Sequence, residues 1–517
     1  MSLVIICIST SYLQSQSVIG TYGNYVGSDG ALLNPASLMT SNVYADFGLS
    51  LNASAYNDYF HVKSKDLLNA VADKKYTASY TKTINGLPRL FDVDFDYGSN
   101  KPVSANVNVD ALIFSGMYNF KNKFVLGFFA RARSNVNVKK IPNSIVEIAI
   151  VGFDHSYSVG DGLFGIDTVI HYNQYARDYS NKNTDIGFMA WSELGVSYSK
   201  NIMNYGFERV DFGINAKLEL ATGAAALSAE QLDYHLDLGE DGTVNDSLWF
   251  MDDIKGEMVY SLPVSYDVPF VNNGGINQNL FGKYINGYGL GFDIGVTYTS
   301  NRIADYKRSV LNSCQIKPID YQYRIGVSLL DVGAVYFGGN NAEIMDVNAV
   351  NSVINTSGFT NVKTVHDFVN VLSDSLGAKT QKEGFWMGLP TAVSLQFDYS
   401  FNPHWFINAV VVQPVKFFRH HVTRDAQLLL SPRYESTYFD FALPVTLLNY
   451  NRVLLGASAR FAFLTIGTQN ILNLIGCGET YGLDIYVSLK FNFNKGRCYI
   501  DRGCLWNSDF GYSKRRL

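Results

Sequence analysis

The chain has 517 residues, of which 47% are hydrophobic, 14% aromatic and only 17% charged, against about 25% charged in an ordinary soluble protein. Its net charge of −5 comes without a long basic block, which argues against nucleic acid as a partner, because that affinity rests on clustered Lys and Arg. Beyond the N-terminus there is no unbroken apolar stretch of roughly 18 residues, so a helical membrane span is excluded.

In chain order, residues 1–17 come first. They carry the apolar run Leu3-Val4-Ile5-Ile6-Cys7-Ile8 followed by Ser15-Gln16-Ser17, and they read as a secretory signal peptide that lacks the usual positive start. Alternation of period two then dominates, in segments of about ten residues, the spacing of membrane-spanning strands. It covers 44–56, 107–120, 124–138, 164–175 and 188–199. In 210–220 the separation is complete: Val210, Phe212, Ile214, Ala216, Leu218 and Leu220 share one face, and Asp211, Gly213, Asn215, Lys217 and Glu219 share the other. A helix would mix these sets, whereas a strand separates them.

The same pattern recurs in 288–299 and 323–337. In the second of these the apolar parity changes after Tyr323, Ile325, Val327 and Leu329, so Leu329-Leu330 must hold a bulge or a bend. Either it re-aims side chains and opens the wall, or it only adjusts local twist. Between about 340 and 384, Val362, Val365, Phe368, Val369, Leu372 and Leu376 recur at helical spacing, which predicts a short amphipathic helix on a loop insertion. Alternation resumes in 390–399, 405–415, 433–443, 453–465 and 483–493, with weaker runs near Val93 and Val259. The sum is an all-β transmembrane antiparallel barrel of about fourteen strands. Residues 494–517 form a tail beyond Phe493.

No enzyme chemistry emerges. His-Glu-x-x-His and Gly-x-Ser-x-Gly are absent, and His155, His171 and His404 read as incidental. The mature cysteines Cys314, Cys477, Cys498 and Cys504 contain no C-x-x-C pair, so neither a zinc site nor a disulfide framework is expected. His420 and His421 point apart on an extended chain and read, with the basic run 419–424, as a solvated loop. No catalytic residue, cofactor or metal is expected. Gly289, Gly291 and Gly295 share the polar face with Asp293, inside a strand and at the wrong spacing for a nucleotide loop. Without Cβ atoms they either relieve crowding or let another backbone approach. Arg433 and Glu435 share one side of a strand, as do Lys217 and Glu219, and both pairs suit ion pairing in a polar lumen.

The segment Ala31-Leu32-Leu33-Asn34-Pro35-Ala36-Ser37-Leu38 resembles the Asn-Pro-Ala segment of FadL-like barrels, which include long-chain fatty-acid transporters and the PorV-type proteins of Bacteroidota. Residues 289–296 and 326–333 are similar to Gly- and Asp-bearing strands of that superfamily. Leu389-Pro390-Thr391, 431–436, Ala442-Leu443-Pro444 and 467–470 resemble an uncharacterised Bacteroidota outer-membrane family. The resemblance implies a luminal hatch over residues 18–43 ahead of a barrel over 44–493, in the bacterial outer membrane and in contact with its lipid. With such a hatch, the missing Cβ atoms of Gly289, Gly291 and Gly295 suit a seat for Asn34, Pro35 and Ala36, with Asp293 accepting bonds from hatch amides. Two functions follow from it: uptake of a hydrophobic or amphipathic small molecule, with lateral exit near Leu329 and Leu330, or a non-transporting scaffold for secretion or assembly machinery. An apolar pocket at the hatch would favour uptake, and a lumen filled by polar pairs would favour the scaffold.

Overall fold

The structure, a computed structural model, describes residues 18, 20–58, 102–120, 123–142, 179–238, 244–261, 285–302, 321–338, 342–355, 365–475 and 479–493, with short strand pieces at 60–63, 83–84, 87–88, 93–95, 271–272 and 275–276. The expected signal segment 1–17, the expected strand 164–175 and the tail 494–517 lie outside these residues, as do the four mature cysteines, His155 and His171.

The fold is all-β, a closed antiparallel barrel of 14 strands. In chain order its wall begins with β1 (Ala45–Asn57), β2 (Val103–Phe120), β3 (Phe124–Ile141), β4 (Tyr179–Asn204) and β5 (Glu208–Leu238). Next comes β6 (Val244–Ser261), which lies outside the ring, and then β7 (Gly287–Asn301) and β8 (Tyr321–Phe337). A second excursion holds β9 (Ala342–Asn355), helix α2 (Val365–Leu376) and β10 (Lys379–Gln381); α1 is a single turn in the hatch, Ser37–Thr40. The wall resumes with β11 (Phe385–Gly388), β12 (Ala392–Ser400), β13 (Trp405–Pro414) and β14 (Gln427–Glu435). It finishes with β15 (Phe439–Ala442), β16 (Val445–Leu448), β17 (Arg452–Leu455), β18 (Ala457–Phe461), β19 (Leu464–Thr468) and β20 (Gly482–Phe493). Three wall positions are built in two pieces, β11 with β12, β15 with β16 and β17 with β18. β20 closes the ring on β1, from Ala45 opposite Phe493 to Tyr56 opposite Gly482.

The two-faced strands explain the closure. On β7, Tyr288, Leu290, Phe292, Ile294 and Val296 are exposed, while Gly291, Asp293 and Thr297 between them are buried. Comparable outward apolar residues recur around the ring, among them Leu49, Phe128, Val196, Val327, Leu395 and Leu430. A soluble protein rarely exposes so continuous an apolar surface, but a lipid-facing barrel wall must. Aromatic rings crowd one rim, where Phe120 stacks on Phe124 (4.7 Å between centroids) and meets Tyr118 edge-on (4.8 Å), as in an interfacial girdle. At that rim the turns at 205–207, 401–404 and 436–438 are tight, and both Ala45 and Phe493 lie there. The strand ends at the opposite rim are mostly farther apart in sequence, as from Asn57 to Val103 and from Ile141 to Tyr179, while Asn301 and Tyr321 meet at the first rim; outer-membrane barrels carry their longer loops outside, and the opposite rim is taken as the outer one.

The belt supplies a test. Leu290→Arg on the lipid-facing side is expected to cost about 2–4 kcal/mol near the bilayer midplane. Val350→Arg on β9, where Val350 is 61% exposed but off the ring, is expected to cost almost nothing. Urea unfolding in lipid vesicles would read both, and equal costs would contradict the belt.

β5 extends well beyond the membrane. Its first part, Glu208 to Ala221, pairs with β7, and its second part, Ala224 to Leu238, pairs with β6. At about 3.3 Å per residue, 31 residues reach roughly 100 Å against a hydrocarbon core of about 30 Å. β6 pairs in turn with β9, and Leu372 and Leu376 of α2 pack on Tyr234, Met251, Ile254 and Met345. The outer end thus carries a projecting sheet with its own apolar core.

Three expectations need correction. Residues 433–443 are not one strand: β14 turns into β15 at 436–438, where the Ser436 amide donates to the Phe439 carbonyl (2.7 Å). Residues 453–465 fold back as well, with Ala462 at φ +53°. Neither turn is marked by Gly, Pro or Asn, and so the alternation runs through both. The insertion at about 340–384 holds the expected helix, but also β9 and β10.

Candidate functional site: a lumen closed from both ends

From the short-turn end, the N-terminal segment folds into the lumen as a 3-10 turn, Gly27–Leu32, followed by α1. Leu38, Met39 and Ala36 are buried completely or nearly so. Asn34 organises the bend: its Oδ1 accepts the Ala36 amide (3.0 Å) and its Nδ2 donates to Gln396 Oε1 (2.8 Å). Strands all round the ring hold this hatch. Ser328 Oγ donates to the Leu33 carbonyl (2.6 Å), Asn215 Nδ2 to Ala31 (2.9 Å) and Asn492 Nδ2 to Tyr25 (2.8 Å). The Ser28 amide donates to Asp46 (2.7 Å), and Lys490 pairs with Asp29 (2.6 Å).

Of the three glycines on the polar face of β7, the hatch packs on Gly295 and not on Gly289 or Gly291. A Cβ on Gly213 would fall 2.3 Å from the Ala36 nitrogen and the Pro35 carbonyl carbon, and one on Gly295 would fall 2.1 Å from Asn34 Oδ1. Those two glycines receive the hatch. Gly289 instead meets the backbone of Ala334 and Val335, and Gly291 lies under the Glu219 carboxylate and Leu389. The strand and its face are as expected, but the docking point is limited to Gly295 on β7 and shared with β5. Nor does Asp293 take hatch amides; it accepts from Lys217 Nζ (2.7 Å), Asn215 Nδ2 (2.7 Å) and the Asp331 amide (2.6 Å). Asn215, bonded to both, is the intermediary between Asp293 and Ala31.

The register shift of the wall falls at Leu330-Asp331, one residue beyond the expected Leu329-Leu330 step: Phe292 of β7 faces Val332, while Ile294 faces Leu329. Asp331 takes φ +52° there, a conformation that Asp tolerates better than most residues. On its other side β8 leaves β12 at Leu330 and meets β11 from Ala334, so Leu389-Pro390-Thr391 interrupts the neighbouring strand at the same level. Thr391 Oγ1 donates to the Asp331 carbonyl (2.6 Å).

Asp331 is the hub of a buried charge cluster. Arg133 Nη1 lies 3.1 Å from it, and Lys217 Nζ and Arg424 Nη2 also pair with it. Arg133 and Arg131 bind Glu193 (2.5 and 3.4 Å), Arg131 binds Asp110, and Trp191 Nε1 donates to Glu193 (3.1 Å). Lys217 therefore pairs with Asp293 and Asp331 rather than with Glu219, whose buried carboxylate has no hydrogen-bond partner among the described residues. A separate cluster near the short-turn end joins Arg433 to Glu435 (2.6 Å) and Asp398 (2.7 Å). Its Glu435 also accepts from Asn24 Nδ2 (2.6 Å) of the hatch. The Arg433–Glu435 pair and Lys217 thus belong to two clusters, one anchoring the hatch and one spanning the lumen.

The basic run 419–424, expected to be solvated, is only partly so, and it lies within the connection 415–426. It turns back into the lumen from the outer end: His420 is buried and bonds Glu257 (3.1 Å), Val422 is buried, and the Arg424 guanidinium is only 10% exposed. The Gly388 amide donates to His420 (2.8 Å) and the Val422 amide to Gly388 (3.2 Å). Burial raises the Asp425 carboxyl above its ordinary range, opposed by the bond from Asn449. Sequence held a signal here, Val422 and Ala426 in a basic run, but nothing local says that a basic loop points inward.

Between hatch and wall lies a cavity of about 50 Å³. Val18, Leu32, Leu33 and Val412 give it an apolar side, and Arg131, Arg424 and Asp110 a charged one. The apolar side is continuous with a buried cluster of Val18, Leu33, Leu330, Ala392, Val410 and Leu429, which reaches the wall bulge.

The profile of the Family of unknown function (DUF5723) matches residues 35–469. No curated protein matches the chain. Among solved structures, the TodX deltaS2S3 mutant monoaromatic hydrocarbon channel is similar at 10% identity, with 91% of this chain and 95% of that chain covered and a TM-score of 0.39. The Ralstonia pickettii toluene transporter TbuX is 10% identical over 92% of this chain and 97% of its own, with a TM-score of 0.36. A Pseudomonas aeruginosa FadL homologue is 9% identical over 93% and 99%, with a TM-score of 0.22.

Proposed function

We propose that this chain, which belongs to the family of unknown function DUF5723, is an outer-membrane barrel of FadL-like kind that takes up a small hydrophobic or amphipathic molecule through a plugged lumen. The observation that carries this reading is the cavity at the hatch, apolar on one side and charged on the other, continuous with apolar packing that ends at the wall bulge. At about 50 Å³ the cavity is smaller than a ligand pocket of roughly 300–1,000 Å³, so a cargo would enlarge it by displacing the hatch, with a nonpolar body on the apolar side and a polar contact on the other. The bulge at Leu330-Asp331, opposite the Leu389-Pro390-Thr391 interruption, is where a cargo would leave sideways into lipid. The lipid-facing belt and closed ring support the outer membrane as its place.

Bacteria lacking the chain, and the same cells carrying it, would be compared for entry of the hydrophobic fluorophore 1-N-phenylnaphthylamine and of a polar chromogenic β-lactam. The chain is expected to speed the first several-fold and leave the second unchanged. Val412→Trp, which fills the cavity, is expected to remove the gain. Equal acceleration of both probes, no acceleration, or an undiminished rate in Val412→Trp would each overturn uptake.

A scaffold is favoured by a different observation, the polar filling of the lumen together with the projecting outer sheet and its α2-backed core. A stoichiometric protein partner recovered from native membranes, without probe uptake, would establish that reading instead.

A further inference from the structure

We propose that residues 415–426 form an outer gate in series with the hatch, and that Arg424 is its latch. This holds whatever the cargo is. The segment joins β13 to β14 at the long-loop rim, where a connection could simply run outside. Instead it crosses inward and is bonded to several parts of the wall. Its backbone pairs with Gly388 of β11, His420 bonds Glu257 of β6, and the Thr423 amide donates to Asn137 of β3 (3.0 Å). Val422 fills an apolar cluster with Met189, Trp191, Phe337, Met387 and Leu389. Arg424 Nε donates to the Pro390 carbonyl (3.0 Å), and its Nη2 reaches Asp331.

The hatch closes the other end through a different set of partners. The two closures meet by a continuous chain of bonds: Ala31 carbonyl, Asn215, Asp293, Lys217, Asp331 and Arg424. Lys217 is the shared counter-ion, since its ammonium pairs with the Asp293 that holds Asn215 and with the Asp331 that holds Arg424. Two barriers in series conduct only when both are displaced. Releasing one alone leaves the other bonded to its own wall strands.

The full chain in planar lipid bilayers tests this in three forms: Gly213→Leu to displace the hatch, Arg424→Gln with Val422→Ser to free the inward loop, and the two combined. Each alone is expected to stay as quiet as the unaltered protein, and the combination to open at least tenfold more often. Gly213→Leu conducting as well as the combination would overturn the outer gate, as would a folded combination that stays silent. A second readout stands if the combined form does not fold. Thr423→Cys on intact cells is expected to react slowly with a membrane-impermeant maleimide, and at least tenfold faster once Arg424→Gln is added. Equal rates would overturn the latch.

Discussion

Replacing Asp331 with Ala is expected to destabilise the barrel by about 3–5 kcal/mol, the cost of breaking a buried ion pair from one side. Three cations share this carboxylate, Arg133, Lys217 and Arg424, and none of them reaches water easily. Lys217 would keep Asp293, and Arg133 would keep Glu193. Arg424 would keep only the Pro390 carbonyl. The backbone contributes too, because φ is +52° at this position and Ala tolerates that less well than Asp. Asp331→Asn separates the two terms: it removes the charge but keeps a side chain suited to the left-handed region, and it should recover only the smaller, conformational part. Urea midpoints in lipid vesicles, with folded and heat-unfolded bands on gels, are the measurement. An Asp331→Ala barrel with an unchanged midpoint would remove Asp331 from the centre of the lumen.

How much of this the sequence discloses depends on the distance over which each feature is specified. Alternation in 210–220, 288–299 and 483–493 reads directly as wall, because lipid on one face and polar packing on the other impose a period of two on neighbouring residues. The parity change after Leu329 is equally local, and the register shift lies there. Pairing across the barrel is different. Lys217 lies 114 residues from Asp331, and nothing near Lys217 marks that partner above Glu219, which shares its face and yet does not pair with it. The same holds for the inward loop, whose Arg419 is exposed while Arg424, five residues on, is largely buried. β9 was missed for another reason. It alternates only over Met345-Asp346-Val347-Asn348-Ala349, a run about half the length of a wall strand, and so it does not stand out beside the helical spacing that follows.

Two glycines on adjacent strands, equally crowded, should fail in opposite ways. At Gly213 a Cβ would meet the hatch backbone at 2.3 Å; at Gly289 it would meet the Ala334 carbonyl of β8 at 2.3 Å and Val335 Cα at 2.8 Å. Overpacking typically costs about 1–3 kcal/mol, and the cost falls on whichever partner can move. The hatch is a short segment tied largely by side chains, so Gly213→Leu should dislodge it and leave the ring intact. β8 is paired on both sides, so Gly289→Leu has no loose partner and should lower the yield of folded barrel. At about 1.4 kcal/mol per tenfold, the Gly213 change is expected to raise the undocked hatch population roughly five- to 150-fold. Limited proteolysis reads this directly: Gly213→Leu should lose residues ahead of Ala45 quickly while its heat-modifiable band persists. Gly289→Leu should show less of that band and no faster trimming of whatever folds. The reverse pattern would mean that the segment around Asn34 leans on Gly289 after all, and that β5 carries no part of its seat.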